Sequence, residues 1–205
     1  MRMTALPRIV ALGAALGPLA GCFAPPDPAP APPPRCGSAT ERRGAPYVLP
    51  FPPGRAYRVT QGNCSAGSHN PASPYRYAYD FAMPIGDTIV AARAGTVVRA
   101  DDSFADGTRL AGEENELVVR HSDGSYGRYT HLMQRGILVR MGDRVRQGQP
   151  MARSGDSGNS RGPHLHFDVA VCPDAHCDTM PVAFANTDTR GVLASGAVYP
   201  AHPPE

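Results

Sequence analysis

Glycine and proline punctuate this chain so often that long helices have no room to form. There are 22 glycines and 23 prolines among 205 residues. Both residues favour turns over regular interior structure. Between them, from about residue 57 onward, short β-type runs recur: Tyr57–Thr60, Tyr77–Met83, Thr88–Ala91, Thr96–Ala100, Glu116–His121, Tyr126–Leu132 and His164–Val171. The separators are rich in Gly or Asp, and no stretch sustains a helical period. SDGS, between LVVRH and YGRYTHL, predicts a hairpin turn. PIGDTIVAARAG (84–95) and RMGDRVRQGQPMA (140–152) echo one another, each placing Gly-Asp before a β-type run. Hydrophobic residues at 41% and charged residues at 19% allow a packed core. The expected fold is all-β, with a sheet open enough to carry a groove. Residues 101–115 and 154–163 are expected to be long loops.

The first 35 residues carry no fold of this kind. Arg2 and Arg8, followed by an apolar run from Ile9 to Leu19, have the form of a bacterial export signal over 1–21. The apolar run is about 11 residues, short of the roughly 20 that span a bilayer. Leu19-Ala20-Gly21-Cys22 resembles a lipobox, which makes Cys22 the expected lipid-bearing residue and membrane anchor. By resemblance to lipoprotein sorting in Gram-negative bacteria, Phe23 rather than aspartate after the cysteine implies the outer membrane, facing the periplasm, if the cell is of that kind. Residues 24–35 hold seven prolines, a composition that adopts extended polyproline II. At about 3.1 Å per residue they form a stalk of about 37 Å. The expected organisation is a signal over 1–21, a lipidated cysteine and linker over 22–35, and a folded domain over 36–205 with its core at about 57–186.

Charge and cysteine usage narrow the function classes. All 20 cationic residues are arginine, and two of them, Arg2 and Arg8, precede Cys22. Without that segment the basic and acidic residues balance at 18 each, which argues against a nucleic-acid partner. Besides Cys22 there are four cysteines, Cys36, Cys64, Cys172 and Cys177. An even number in an exported chain suggests two disulfides. Three pairings are possible; Cys172–Cys177 and Cys36–Cys64 are favoured. A metal site from Cys172, His176 and Cys177 is the rival, weakened because export oxidises thiols.

Seven histidines remain to be placed: 69, 121, 131, 164, 166, 176 and 202. In His164-Leu165-His166-Phe167-Asp168-Val169 a strand puts His164, His166 and Asp168 on one face, with Leu165, Phe167 and Val169 on the other. Two imidazoles about 6.6 Å apart along the backbone suit a metal ligand beside a proton acceptor, or a solvated strand with incidental histidines. Asp80 ends PASPYRYAYD, and His131 ends YGRYTHL with Tyr129 expected on the same face. His121 is expected at a turn or on the surface, and His176 and His202 are expected to be solvated. Asn159 and Ser160 fit substrate contact and turn chemistry equally well.

Four separated blocks, H…YAYDFAMPIGDTIVAARAGTVV, LVVRHSDGSYGRYTHL, GD…V…GQPMARSGDSG and GPHLHFDV, resemble the lysostaphin-like or LytM-type zinc peptidases of the M23 group over residues 57–186. The resemblance implies a two-sheet, mostly antiparallel β fold with a narrow groove. It implies one zinc ion per chain held by His69, Asp80 and His166, and non-ligand catalytic roles for His131 and His164. His164 is favoured as the base. His69 and Asp80 lie eleven positions apart here, where the family commonly has four, so a loop insertion must let them converge. The composition suits the chemistry: catalytic zinc takes three protein ligands and keeps one position open. HExxH is absent, which excludes a helix-borne glutamate base. The implied activity is endopeptidase cleavage of peptidoglycan stems or cross-bridges at the cell envelope, by a monomer. The alternative is a non-catalytic regulator that binds and activates a cell-wall amidase.

Overall fold

A computed structural model describes Cys36, residues 47–189 and residues 191–203. The signal, Cys22 and the proline-rich linker lie outside the described residues. Ten strands run in chain order: β1 (Ala56–Gln61), β2 (Tyr79–Phe81), β3 (Thr88–Val90), β4 (Gly95–Asp101), β5 (Glu116–Arg120), β6 (Tyr126–Thr130), β7 (Arg144–Val145), β8 (Pro150–Arg153), β9 (Leu165–Ala170) and β10 (Val198–Pro200). Among the described residues there is no α-helix, only a 3-10 turn at Gly67–His69. The fold is all-β, as the punctuation by glycine and proline requires.

Eight strands form one sheet in the order β10-β1-β2-β9-β6-β5-β4-β7, and β3 pairs with β8 in a second. Every strand pair is antiparallel. The SDGS turn closes the β5–β6 hairpin. The Gly-Asp echo has a physical basis. Gly86 and Gly142 take φ of 91° and 94°, which an L side chain resists, and each turns the chain into the following strand, β3 or β7. The β-type run expected after Gly142-Asp143 holds β7, whereas β8 and β10 carry too few residues for readable alternation and are not legible as strands.

β9 runs through the middle of the large sheet and is buried along its whole length. Leu165, Phe167 and Val169 join a core with Phe81, Tyr129, Leu117 and Ile89. Leu49, Phe51 and Leu193, from outside residues 57–186, belong to the same core. Phe167 is fully buried and packs against Tyr129 and Phe184 at 5.1 and 6.0 Å between ring centroids. Truncating it to alanine is expected to cost about 3–5 kcal/mol. With this face committed to the core, the opposite face of β9 is left for polar chemistry.

The cysteines pair as Cys36–Cys64 and Cys172–Cys177. With both sulfurs in a disulfide, Cys172 and Cys177 offer no thiolate, so the rival metal site with His176 lacks its ligands.

Candidate active site and metal centre

One row of side chains crosses four neighbouring strands. Register places Gln61 of β1 opposite Asp80 of β2, Asp80 opposite His166 of β9, and His166 opposite Thr130 of β6. Cross-strand neighbours on one face sit within side-chain reach. His166 Nδ1 lies 2.9 Å from Asp80 Oδ1, and Gln61 Nε2 donates to Asp80 Oδ2 at 2.6 Å.

His69 reaches this row from the loop after β1. Gly67, at φ 79°, begins the 3-10 turn directly over Gln61, and a Cβ there would strike Gln61 Oε1. The loop returns through a backbone bond from Cys64 N to Arg76 O at 2.6 Å. The turn drives His69 fully inside, at 0% exposure. Its Nε2 stands 3.3 Å from His166 Nδ1 and 3.4 Å from Asp80 Oδ1. The eleven-residue gap is therefore spanned by a folded loop that brings the two groups together.

Three donor atoms thus form a triangle with edges of 2.9, 3.3 and 3.4 Å. A tetrahedral zinc with Zn–N and Zn–O bonds of about 2.0–2.1 Å sets its ligands about 3.3–3.4 Å apart. Two imidazole nitrogens facing each other and one carboxylate oxygen cannot all be satisfied by one hydrogen, whereas a cation satisfies all three. His69, Asp80 and His166 form a possible metal site, and their atoms fit a metal ion.

The electrostatics of the bare triangle point the same way. Burial pushes His69 down to about 4. Burial also works to lower His166, but hydrogen bonds to Asp168 and Asp80 outweigh it and raise the imidazole to about 9. Asp80 is held well below the usual carboxylate range: burial opposes this, but the hydrogen bond and charge of His166 prevail. A proton on His166 thus occupies part of the space a cation would take.

His131 and His164 stand beside the triangle, their rings 4.5 Å apart. His131 Nδ1 lies 2.7 Å from Ser157 O, and His164 Nδ1 lies 2.8 Å from Gly162 O. A carbonyl oxygen only accepts, so each Nδ1 carries a hydrogen, which leaves Nε2 as the nitrogen that can take or give a proton. His164 Nε2 is 3.8 Å from Asp80 Oδ1. Burial, then the neighbouring imidazoles of His164 and His166, push His131 down to about 4. It is neutral at neutral pH.

Both carbonyls belong to the 154–163 loop. That loop is pinned to residues 101–115 by Asn115, whose amide nitrogen bonds Ser157 Oγ at 3.0 Å and whose side chain bonds Phe104 O and Leu132 O. Arg109 adds bonds to Asp156 and to Ser160 O, both at 2.7 Å. A cavity of about 630 Å³ opens over the site, lined by Asp80, His131, His164, His166, Gln61 and Arg161. A second, of about 440 Å³, includes His131, His166, Tyr75, Glu114 and Arg128. Asn159 lines both, and Ser160 Oγ donates to Gly162 O at 2.8 Å.

Two expectations need correction. Tyr129 does not share a face with His131: it is fully buried and accepts from Ala92 N at 2.8 Å. His131 lies one residue beyond β6 at φ 62°, and this left-handed step breaks the alternation. His121 does sit at the hairpin turn, its N–H donating to Ser125 O and its carbonyl accepting from Gly124 N, but it is not at the surface. It is 3% exposed, sits edge-on to Tyr47, and bonds Ala94 O through Nδ1 at 2.9 Å. His176 and His202 are exposed. Gln61, Tyr75, Arg128 and Asn115 were not singled out from sequence, although Arg128 signals itself as a lone charge inside the β-type run YGRYT.

Part of this chain is similar to known proteins. The family model described as Peptidase family M23 matches residues 74–178, half of the chain; His69 lies just ahead of that span. An uncharacterized metalloprotease of Buchnera aphidicola is 34% identical over 129 residues, which cover 61% of this chain and 31% of that protein. The peptidoglycan DD-endopeptidase ShyA of Vibrio cholerae is 34% identical over 121 residues, covering 59% of this chain and 24% of its own. The chain therefore spans only a quarter to a third of these curated relatives. The catalytic domain of the antimicrobial peptidase lysostaphin from Staphylococcus simulans shares 29% identity, covers 63% of this chain and 88% of that domain, and superposes with a TM-score of 0.44.

Proposed function

The chain belongs to peptidase family M23, and from that membership we propose that it is a zinc endopeptidase that hydrolyses peptide bonds in peptidoglycan stems or cross-bridges. The observation that carries this reading is the triangle of His69 Nε2, Asp80 Oδ1 and His166 Nδ1. These three residues would hold the ion. When bound, it supplies Lewis acidity toward the scissile carbonyl and lowers the pKa of a water toward neutrality.

The chain's own residues supply the rest. His164 is assigned as the base, because its Nδ1 is tied to Gly162 O while its Nε2 lies next to the triangle. His164 takes the proton of the attacking water and returns it to the leaving amine nitrogen; His131, neutral at rest, would donate to the developing oxyanion from Nε2 once it has taken a proton from solvent. The backbone carbonyls of Ser157 and Gly162 fix both rings before substrate arrives, so neither must reorganise during reaction. The cavity along Gln61, Asn159 and Arg161 receives the peptide.

The relatives named for peptidoglycan cleavage support this substrate class. We also propose envelope localisation, with the export signal removed, Cys22 lipidated and residues 24–35 acting as a stalk that carries the domain away from the lipid surface. The test pairs metal analysis of the purified chain with digestion of cross-linked peptidoglycan. One zinc per chain and new peptide termini, both lost after chelation and in His166→Ala, are expected. A purified chain that holds no metal and releases no termini would overturn this reading in favour of the non-catalytic regulator.

A further inference from the structure

Behind His166 lies an ion pair that the proposed reaction does not use directly. Arg128 of β6 and Asp168 of β9 are directly opposite in register, and both are 1% exposed. Arg128 Nε donates to Asp168 Oδ1 at 2.7 Å, and Nη2 donates to Oδ2 at 3.0 Å. The third donor, Nη1, bonds the carbonyl of Asp174. Asp168 Oδ2 also accepts from His166 Nε2 at 3.1 Å. Tyr75 closes the group: the Arg128 guanidinium lies 5.6 Å from its ring centroid, and its ring meets His166 edge to face at 5.4 Å.

Stability alone gives no reason for this arrangement. Desolvating two charges consumes most of their attraction, and well-packed apolar replacements of such pairs are often neutral or stabilising. Its geometry does something else. A carboxylate gripped bidentately by arginine can only accept hydrogen bonds. It therefore requires the hydrogen of His166 to sit on Nε2, which leaves the lone pair on Nδ1. That is the atom facing His69 and Asp80. Carboxylates behind a metal-bound imidazole set its tautomer and orientation in this way.

We propose that Arg128 and Asp168 are positioning residues that hold His166 with Nδ1 turned to the Asp80–His69 pair, so that metal affinity depends on a buried ion pair that does not itself hold the ion. This inference rests on reading the triangle as a metal site. Lysine at position 128 would not substitute fully, since an ammonium cannot grip both carboxylate oxygens in one plane.

The decisive variant is Arg128→Met combined with Asp168→Leu, which removes both charges and keeps the volume filled. Folding is followed by thermal unfolding of chelated protein, zinc affinity by competition with a chelating dye, and ligand geometry by the visible spectrum of the cobalt-loaded form. The expected result is a folded protein whose zinc affinity, taken as its pH-independent limit so that proton competition drops out, is weaker by about 10- to 100-fold, with a shifted cobalt band. Unchanged affinity and an unchanged cobalt spectrum in a folded double variant would overturn the proposal. If the double variant does not fold, Asp168→Asn and Arg128→Lys are measured in its place. Asparagine can present an amide donor to Nε2 and so favour hydrogen on Nδ1; affinity should fall in both, further for Asp168→Asn. Wild-type affinity in both would refute the role. Failure of the wild-type chain to bind zinc at all would overturn the metal-site reading instead, so the two failures are distinguishable.

Discussion

Two pairs of histidines stand within a few ångströms of each other, yet the fold treats them in opposite ways. His69 and His166 turn nitrogens toward one another and toward a carboxylate, 3.3 Å apart. His131 and His164 turn Nδ1 away, onto the backbone carbonyls of Ser157 and Gly162. The first pair shares one point in space, which suits a common cation. The second pair leaves two separate Nε2 atoms clear of those bonds on rings that line the cavity, which suits proton transfer. The supports differ too. His166 is held by strand register and a buried side-chain ion pair, whereas His131 and His164 are held by a loop. The same residue type therefore acquires different chemistry from what its second nitrogen meets.

Substitution should separate the pairs most sharply. His166→Ala is expected to remove both metal and hydrolysis, leaving the rate of the chelated protein; metal analysis beside a digestion assay checks it. His131→Ala and His164→Ala should each lower kcat by about 10²- to 10⁴-fold while metal stoichiometry stays at the wild-type value. Loss of metal in either variant would erase the distinction between the pairs.

Acidity should separate them next. In the metal-free site His166 is raised to about 9, and a metal must displace that proton. Apparent zinc affinity should therefore rise about tenfold per pH unit between pH 6.5 and 9. Titrations in non-chelating buffers measure this, and a flat profile contradicts the shared point in space. The stability of the chelated protein should move in the opposite direction. A folded-state value above the ordinary 6.5 favours folding at low pH, and that contribution is lost as pH rises through 9. His131, lowered to about 4, is neutral across this window. Metal loading should therefore contribute an acid limb to activity, and saturating zinc should shift that contribution to lower pH.

The sequence made the polar face of β9 legible because alternation in LHFDVA is strict and its apolar half has one place to go. It made Asp80 legible for the same reason, since YAYDF reads as a strand. The convergence of His69 was less readable: no periodicity describes the loop 62–78, and its path depends on a 3-10 turn and the Cys64–Arg76 closure. Tyr129 and His131 were placed on one face because alternation was extended a residue too far. A left-handed residue at the end of β6 has no signature in a histidine. Arg128 was overlooked because its partner is 40 positions away, and only register pairs them. Spacing within one strand is written in the chain, whereas contacts between strands come from the sheet that the whole chain builds.

The smallest expected effect tests whether the ligand pair is supported from outside the sheet. The Cys172–Cys177 disulfide closes the loop whose Asp174 carbonyl accepts from Arg128. Asp174 is also tied through its carboxylate to Arg99 at 2.7 Å, and Arg99 to Glu116 at 2.7 Å. Opening so short a loop should cost only about 2 kcal/mol of stability by chain entropy. In Cys172→Ser with Cys177→Ser the Arg99 contact persists, so the carbonyl loosens without leaving. Zinc affinity should fall a few-fold in a dye-competition measurement. The rate at saturating zinc should stay near wild type, because Ser157 and Gly162 lie on a different loop. A lowered saturated rate with unchanged affinity would mean that the disulfide loop acts on the cavity-facing histidines, and that the two supports are not separate.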